Sequence, residues 1–281
     1  MRISVILSTY NSPVWLWKVL CGYDCQSYRD FDLIIADDGS TEDTREIVER
    51  FQAESSIPIK HVWHEDNGFR KTEILNKAIS ASRADYLVIS DGDCVPRSDF
   101  VDTHRRHARP AHFLCATYYK LTMAVSEAVT EPHIRSGQAF DFKWLHGQGQ
   151  PKSMKRLRLV AGPMLGSLLN RITPTKANWS GANSSGWRDD ILRVNGFDER
   201  MKYGGEDKEL GDRLKNNGIR PIRLRYSAIC LHLEHARGYV DPESYRRNQM
   251  IRHETRRGRL VWTPYGIEKA NHADNGQYRA A

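Results

Sequence analysis

The sequence predicts an α/β fold, a mostly parallel central sheet flanked by helices on both faces. Three observations carry this. Strand-like and helix-like periods alternate through the first hundred residues, the pattern of parallel strands joined by crossover helices. The strand-like stretches are nearly continuous aliphatic runs, as strands covered on both faces require. Polar clusters follow those runs directly: Thr9-Tyr10-Asn11, Asp37-Asp38-Gly39 and Asp91-Gly92-Asp93. Open α/β sheets hold their ligands at that end of their strands.

Taken in order, Ile3 to Thr9 (ISVILST) reads as the first strand. Residues 13–26 read as a helix, with Pro13 near its start, where no N–H is missed. FDLIIADDGS is a second strand running into a turn, and TEDTREIVERF a helix with Thr41 as N-cap. IKHVWHED is a third strand, KTEILNKAISAS a helix and ADYLVISDGD a fourth strand. Residues 112–150 mix aromatic and histidine residues without a clean period, and 151–177 set basic residues among apolar ones around Gly162-Pro163. The stretch from Glu206 to Asn216 reads as a helix stopped by Gly218, and IRPIRLRYSAICLHLEH as one strand. From Asp241 the chain is strongly basic, through Arg246, Arg247, Arg252, Arg256, Arg257 and Arg259, and its last dozen residues read as a frayed tail.

Composition narrows the function class. The 281 residues are 40% apolar and 27% charged, which excludes a disordered or collagen-like chain. Lys and Arg (42) exceed Asp and Glu (35) by 7, which favours anionic partners. The five cysteines form no C-x-x-C pair, so a zinc site or disulfide framework is not expected and a reducing compartment is. The apolar stretch in MRISVILSTYN is too short for a signal peptide, and no window approaches the roughly 18 apolar residues of a membrane span. The expectation is a cytoplasmic, soluble chain that can dock on the inner face of a membrane.

The acidic clusters carry the chemistry. Asp91 and Asp93, one residue apart beyond an apolar strand, suit a hard divalent cation, Mg²⁺ or Mn²⁺, shared with substrate phosphates; a solvated Asp-Gly turn is the plainer alternative. Asp37 and Asp38 suit hydrogen bonds from a base and ribose, or simply complement a helix dipole. Gly204-Gly205-Glu206-Asp207 enters a helix, where acids are ordinary, but where a carboxylate with room beside it also suits a general base. Of His232 and His235, one neutral imidazole suits a metal. Three residues apart on a persisting strand, they would point to opposite faces. The basic C-terminal stretch lacks the interleaved aromatics of a stacking platform, so no nucleic acid is expected; a solvated face or an anionic membrane contact is.

In this order and spacing, STYN (8–11), ADDGS (36–40), NGFRKTEILNKAI (67–79), SDGD (90–93), SGAN (180–183), GFDE (196–199), GGED (204–207) and His232 or His235 resemble the inverting GT-A glycosyltransferases of family 2. GGED also resembles the acceptor-side segment of β-1,4-galactosyltransferases and chondroitin-type polymerases. The resemblance implies a GT-A, Rossmann-like sheet with an acceptor-side α/β region. It divides the chain into a nucleotide-sugar-binding half (1–110), an acceptor-binding and catalytic half (111–240) and a basic helical extension with its tail (241–281).

It further implies transfer of one sugar from a nucleotide-diphosphate donor, most often a uridine diphosphate sugar, to a hydroxyl of a glycan or lipid-linked glycan, in cell-surface polysaccharide or lipopolysaccharide synthesis. Thr9, Tyr10, Asp37 and Asp38 would hold the nucleoside, with Arg70 or Lys71 near the base or diphosphate. Asp91 and Asp93 would carry Mn²⁺ or Mg²⁺, with His232 favoured over His235 as a later ligand. Asp207 would be the base, Glu206 an acceptor contact, and Asn183 would lie against the transferred sugar. A nucleotidyltransferase would show a glycine-rich loop after the first strand, where this chain has STYNSPVW. A non-enzymatic anion-binding module would act through the arginines alone.

Overall fold

The computed structural model describes residues 1–236 and 241–269, so the tail expected beyond them lies outside the described residues. The first half alternates β1 (Ile3–Thr9), α1 (Pro13–Asp24), β2 (Phe31–Asp37), α2 (Glu42–Glu54), β3 (Ile59–Trp63), α3 (Lys71–Ala81) and β4 (Tyr86–Asp91). Then come β5 (Cys94–Pro96), α4 (Phe100–His107), β6 (His112–Cys115) and β7 (Tyr119–Lys120), followed by the short helices α5 (Met123–Ala128), α6 (Glu131–Arg135), α7 (Phe142–Gly147) and α8 (Leu157–Val160). The rest is α9 (Pro163–Ile172), β8 (Asn183–Trp187), α10 (Arg188–Arg193), α11 (Glu206–Asn216), β9 (Arg220–Arg223), β10 (Cys230–His232) and α12 (Pro242–Arg257).

Seven strands form the main sheet in the order β3-β2-β1-β4-β8-β6-β9, parallel except where β8 runs against β4 and β6. Strands β5, β10 and β7 make a second, three-stranded sheet. Both faces of the main sheet are covered. Val5, Leu7, Tyr86 and Val88 join one apolar cluster, and Ile6, Leu87 and Ile89 join the other. This is the period of two that makes the middles of β1 and β4 read as unbroken apolar runs. The order of connection reverses at β1, between β2 and β4, which opens a crevice beyond their carboxyl ends.

The stretch expected as one strand from Ile219 to His235 is two. After β9 the chain turns at Leu224, whose carbonyl accepts from Ser227 and Ala228 N–H, and re-enters as β10 in the other sheet. The aperiodic stretch 112–150 is built of elements no longer than six residues, too short to display a period. Among the described residues no helix is long and apolar enough to cross a membrane. Helix α12 folds back onto α11. Asn248 donates to the carbonyls of Lys202 and Tyr203, Arg252 to Asp212 and Thr255 to Glu209.

Candidate active site

A cavity of about 960 Å³ opens where the switch in strand order predicts it. Its lining joins Ser8, Thr9 and Tyr10 from the end of β1 and Asp91, Gly92 and Asp93 from the end of β4 to Gly181, Gly204, Gly205, Glu206 and Asp207. Asp91 and Asp207, 116 positions apart in sequence, thus face one space. Thr9 Oγ1 is buried there without a hydrogen-bond partner. Gly92 is needed for close approach: its N–H donates to the Ser8 carbonyl at 2.7 Å, and a Cβ would stand 3.0 Å from that oxygen.

Asp91 Oδ1 accepts from Ser8 Oγ at 2.8 Å and from Lys71 Nζ at 2.6 Å. Lys71 opens α3 and reaches into the cavity. Burial opposes its charge, but the carboxylates of Asp91, Glu206 and Asp93 outweigh burial and raise its pKa above the ordinary lysine value.

Asp93 sits beside both histidines. Its Oδ2 lies 2.9 Å from His235 Nε2 and 3.5 Å from His232 Nε2. Strand β10 ends at His232, so the expectation that a continuing strand would aim the two rings at opposite faces does not hold; the imidazoles stack, 5.7 Å apart and 19° from parallel. Burial works against the Asp93 carboxylate, yet the two imidazoles lower its pKa on balance. Ligand atoms of Asp93, His232 and His235 lie within 4.8 Å of one another, as do those of Asp91, Asp93 and Cys94. His232 sets Nε2 beside Asp93, and its other ring nitrogen, Nδ1, is buried without a hydrogen-bond partner. Carboxylate and imidazole together fit a divalent cation.

Also in the lining, Gly204 (φ +111°) and Gly205 (φ +102°) make a turn that other residues resist, and a Cβ on Gly204 would stand 2.7 Å from the Tyr245 ring. The turn delivers Glu206 and Asp207 as the first two residues of α11. Glu206 accepts from Gly204 N–H at 2.8 Å. Burial, then the charge of Asp207, pushes its carboxyl up to about 7. Asp207 accepts from the N–H groups of Gly181 (3.1 Å) and Lys208 (2.7 Å), and burial raises its carboxyl despite them.

Of the other candidates, Tyr10 and Asp38 line the cavity; Asp38 is held by His64 at 2.7 Å and by Arg70 N–H at 2.9 Å. Three residues do not belong to the cavity. Asp37 is turned into the fold, bonded to Ser40 N–H and His61. The Arg70 guanidinium is spent on Glu73 and the Glu65 carbonyl. Asn183, expected against the sugar, is fully buried; it donates to the Thr117 and Ala228 carbonyls and contacts His104 at 3.1 Å. Its place in a central strand, between β4 and β6, turns its amide inward. Sequence reasoning missed Tyr118, whose ring lies 4.6 Å from that of His232, and Tyr245 and Gln249 of α12. No spacing relates α12 to the acids; only its return along α11 brings it there.

Residues 4–138 match the family model of glycosyl transferase family 2, and residues 171–236 the model called N-terminal domain of galactosyltransferase. Validoxylamine A glucosyltransferase of Streptomyces hygroscopicus subsp. jinggangensis is 30% identical over 251 residues, 84% of this chain and 56% of that protein. Among solved structures, mannosyltransferase PcManGT from Pyrobaculum calidifontis, in complex with GDP-Man and Mn²⁺, superposes with a TM-score of 0.57 at 20% identity, over 85% of this chain and 58% of that one. S. aureus TarS 1-349 in complex with UDP-GlcNAc gives 0.56 at 18% identity, over 89% and 65%. The chain thus spans little more than half of the curated relative and about three-fifths of the solved ones. The GT-A sheet, the family match over its first half and the galactosyltransferase match over its second agree: the chain is a glycosyltransferase whose residues 4–138 belong to family 2.

Proposed function

We propose that this glycosyltransferase moves one sugar, with inversion, from a nucleotide-diphosphate donor, a uridine diphosphate sugar, to a hydroxyl of a glycan or lipid-linked glycan at the inner face of a membrane, in cell-surface polysaccharide or lipopolysaccharide synthesis. The observation that carries the reading is one cavity lined by two acidic pairs from distant sequence, Asp91 with Asp93 and Glu206 with Asp207. In support, one solved relative of this fold holds UDP-GlcNAc and another GDP-Man with Mn²⁺.

Residues 1–110 bind the donor. Thr9 and Tyr10 flank the nucleoside, and Asp38 accepts from it. The positive charge of Lys71 faces the diphosphate. Asp91, Asp93 and the histidine pair His232 and His235 would hold a divalent cation, Mn²⁺ or Mg²⁺, which offsets the charge that builds on the departing diphosphate. Residues 111–240 supply the acceptor side. Asp207 takes the acceptor hydroxyl proton as the oxygen attacks the anomeric carbon, and its pKa, raised by burial, suits it to that proton. Glu206 orients the acceptor hydroxyls. A single displacement with one base needs no covalent sugar–enzyme intermediate, and so inverts the anomeric centre.

The test is a panel of nucleotide sugars with Mn²⁺, read as nucleoside diphosphate release, with product anomer assigned by NMR. Release from one donor, lost on Asp93→Ala, is expected. Undiminished release from a variant carrying both Asp91→Ala and Asp93→Ala overturns the metal reading, and a retained anomer overturns the single displacement.

A further inference from the structure

Helix α9 presents an apolar face that nothing among the described residues covers. Met164 is 90% exposed, Ile172 62%, Leu168 52% and Leu165 47%. Positions 164, 165, 168 and 172 share one side of a helix. The other side is fastened to the protein. Gly166 is buried, and a Cβ there would stand 2.7 Å from the Tyr226 carbonyl oxygen. Asn170 accepts from Tyr226 N–H and donates to Ser227 Oγ, both at 2.8 Å. With that side fixed, the apolar side points outward by construction. Met154 and Val160, earlier in the same segment, are exposed as well.

The charge around this face has one sign. Residues 142–188 contain no Asp or Glu, while Lys152, Lys155, Arg156, Arg171 and Lys176 are all exposed. Single exposed apolar residues are ordinary on a protein surface; a contiguous group of them ringed by cations is a docking surface. A second copy of the chain would bring the same cations against these, whereas an anionic bilayer neutralises them and takes the apolar side chains at its acyl boundary.

We propose that α9, with its basic flanks from 152 to 176, lies in the interface of an anionic lipid bilayer and docks the enzyme there. The docked segment is tied to the lining of the cavity. Helix α9 is seated on the turn that leads into His232, and Arg158 of α8 donates to the carbonyl of Tyr118, whose ring packs on His232. The inference deepens the membrane-borne acceptor of the proposed function, but its test reads lipid binding rather than sugar transfer, so either can fail alone.

The full chain is sedimented with phosphatidylcholine vesicles, with and without about 30 mol % phosphatidylglycerol, at low and high salt. The wild type is expected to partition onto the anionic vesicles only, and less at high salt. The variant Met164→Ser Leu168→Ser Ile172→Ser should lose about tenfold or more of that partitioning. So should Lys155→Glu Arg156→Glu Arg171→Glu, each lost cation being worth about fivefold near an anionic surface. All six positions are exposed and outside the cavity, so circular dichroism and nucleotide binding should match the wild type. Equal binding to neutral vesicles, or unchanged binding by both variants, overturns the proposal. So does a wild-type dimer in gel filtration that the serine variant makes monomeric, because a second copy then covers the face.

Discussion

Lys71 Nζ donates to Asp91 Oδ1 at 2.6 Å, so the first acid of the Asp-Gly-Asp turn is already paired with a cation of the chain itself. Glu206 and Asp93 add to the field that keeps the ammonium charged. A divalent ion held at Asp91, as proposed, would compete with this ammonium for one carboxylate, and a diphosphate entering the cavity would offer the lysine another anionic partner.

Replacing Lys71 by Met should raise the affinity for Mn²⁺ alone several-fold, because Asp91 loses its resident cation. Affinity for the nucleoside diphosphate should fall by about tenfold with the loss of a charged donor. Separate calorimetric titrations with Mn²⁺ and with nucleotide read both. Weaker Mn²⁺ binding would mean that Lys71 organises the acids rather than competing for them.

Asp207→Asn should leave donor affinity near that of the wild type and lower kcat by ~10²–10⁴-fold, the usual range for a general base. The isostere still accepts through its carbonyl oxygen from one of the two N–H groups that hold Asp207, so the α11 entry should survive. Retained kcat with weakened donor binding would move Asp207 to the donor side.

Stability should depend on pH through Glu206. Its carboxyl rises from an ordinary 4.5 to about 7 in the fold. Between those values the folded chain keeps a proton that the unfolded chain has released, so stability falls as pH rises through this window and levels off above it. Glu206→Gln, which stays neutral and can still accept from Gly204 N–H, should flatten that decline. Urea unfolding of the metal-free chain across the window tests it; parallel declines in both proteins would assign the slope to other groups.

Asn183→Ala should act on folding and not on the donor. It strips the Thr117 and Ala228 carbonyls of their donor and removes the amide oxygen beside His104, an imidazole whose pKa burial lowers to about 4. Unfilled buried groups of this kind cost ~1–3 kcal/mol each, so unfolding in urea should shift strongly. Nucleotide affinity per folded molecule should stay the same, which an asparagine in contact with the sugar nucleotide would not allow.

The first half of the fold was legible because β1, β2 and β4 advertise themselves. Each is buried on both faces, and consecutive aliphatic side chains at 5–7, 33–36 and 87–89 alternate between the two clusters. Strand β8 is equally central and was invisible. Its sequence, Asn-Ser-Ser-Gly-Trp, has no hydrophobic pattern, since Ser185 is buried by bonding to Tyr86 and His104 rather than by being apolar. The candidate acids were legible by type and position, and so was a basic helix beyond residue 241; the return of α12 along α11 that brings Tyr245 to the cavity was not, because helix-on-helix return leaves no local mark.

The sequence alone determined that acids follow buried strands and enter a glycine turn, because local periodicity and turn chemistry place them there whatever the rest of the chain does. The direction of each side chain was left to tertiary structure. Asp38 faces the cavity while its neighbour Asp37 is bonded inward, and both histidines reach Asp93 because β10 stops where it does. Neighbouring residues of a strand point apart, and which of them meets a partner from distant sequence depends on contacts that form only when the sheets close.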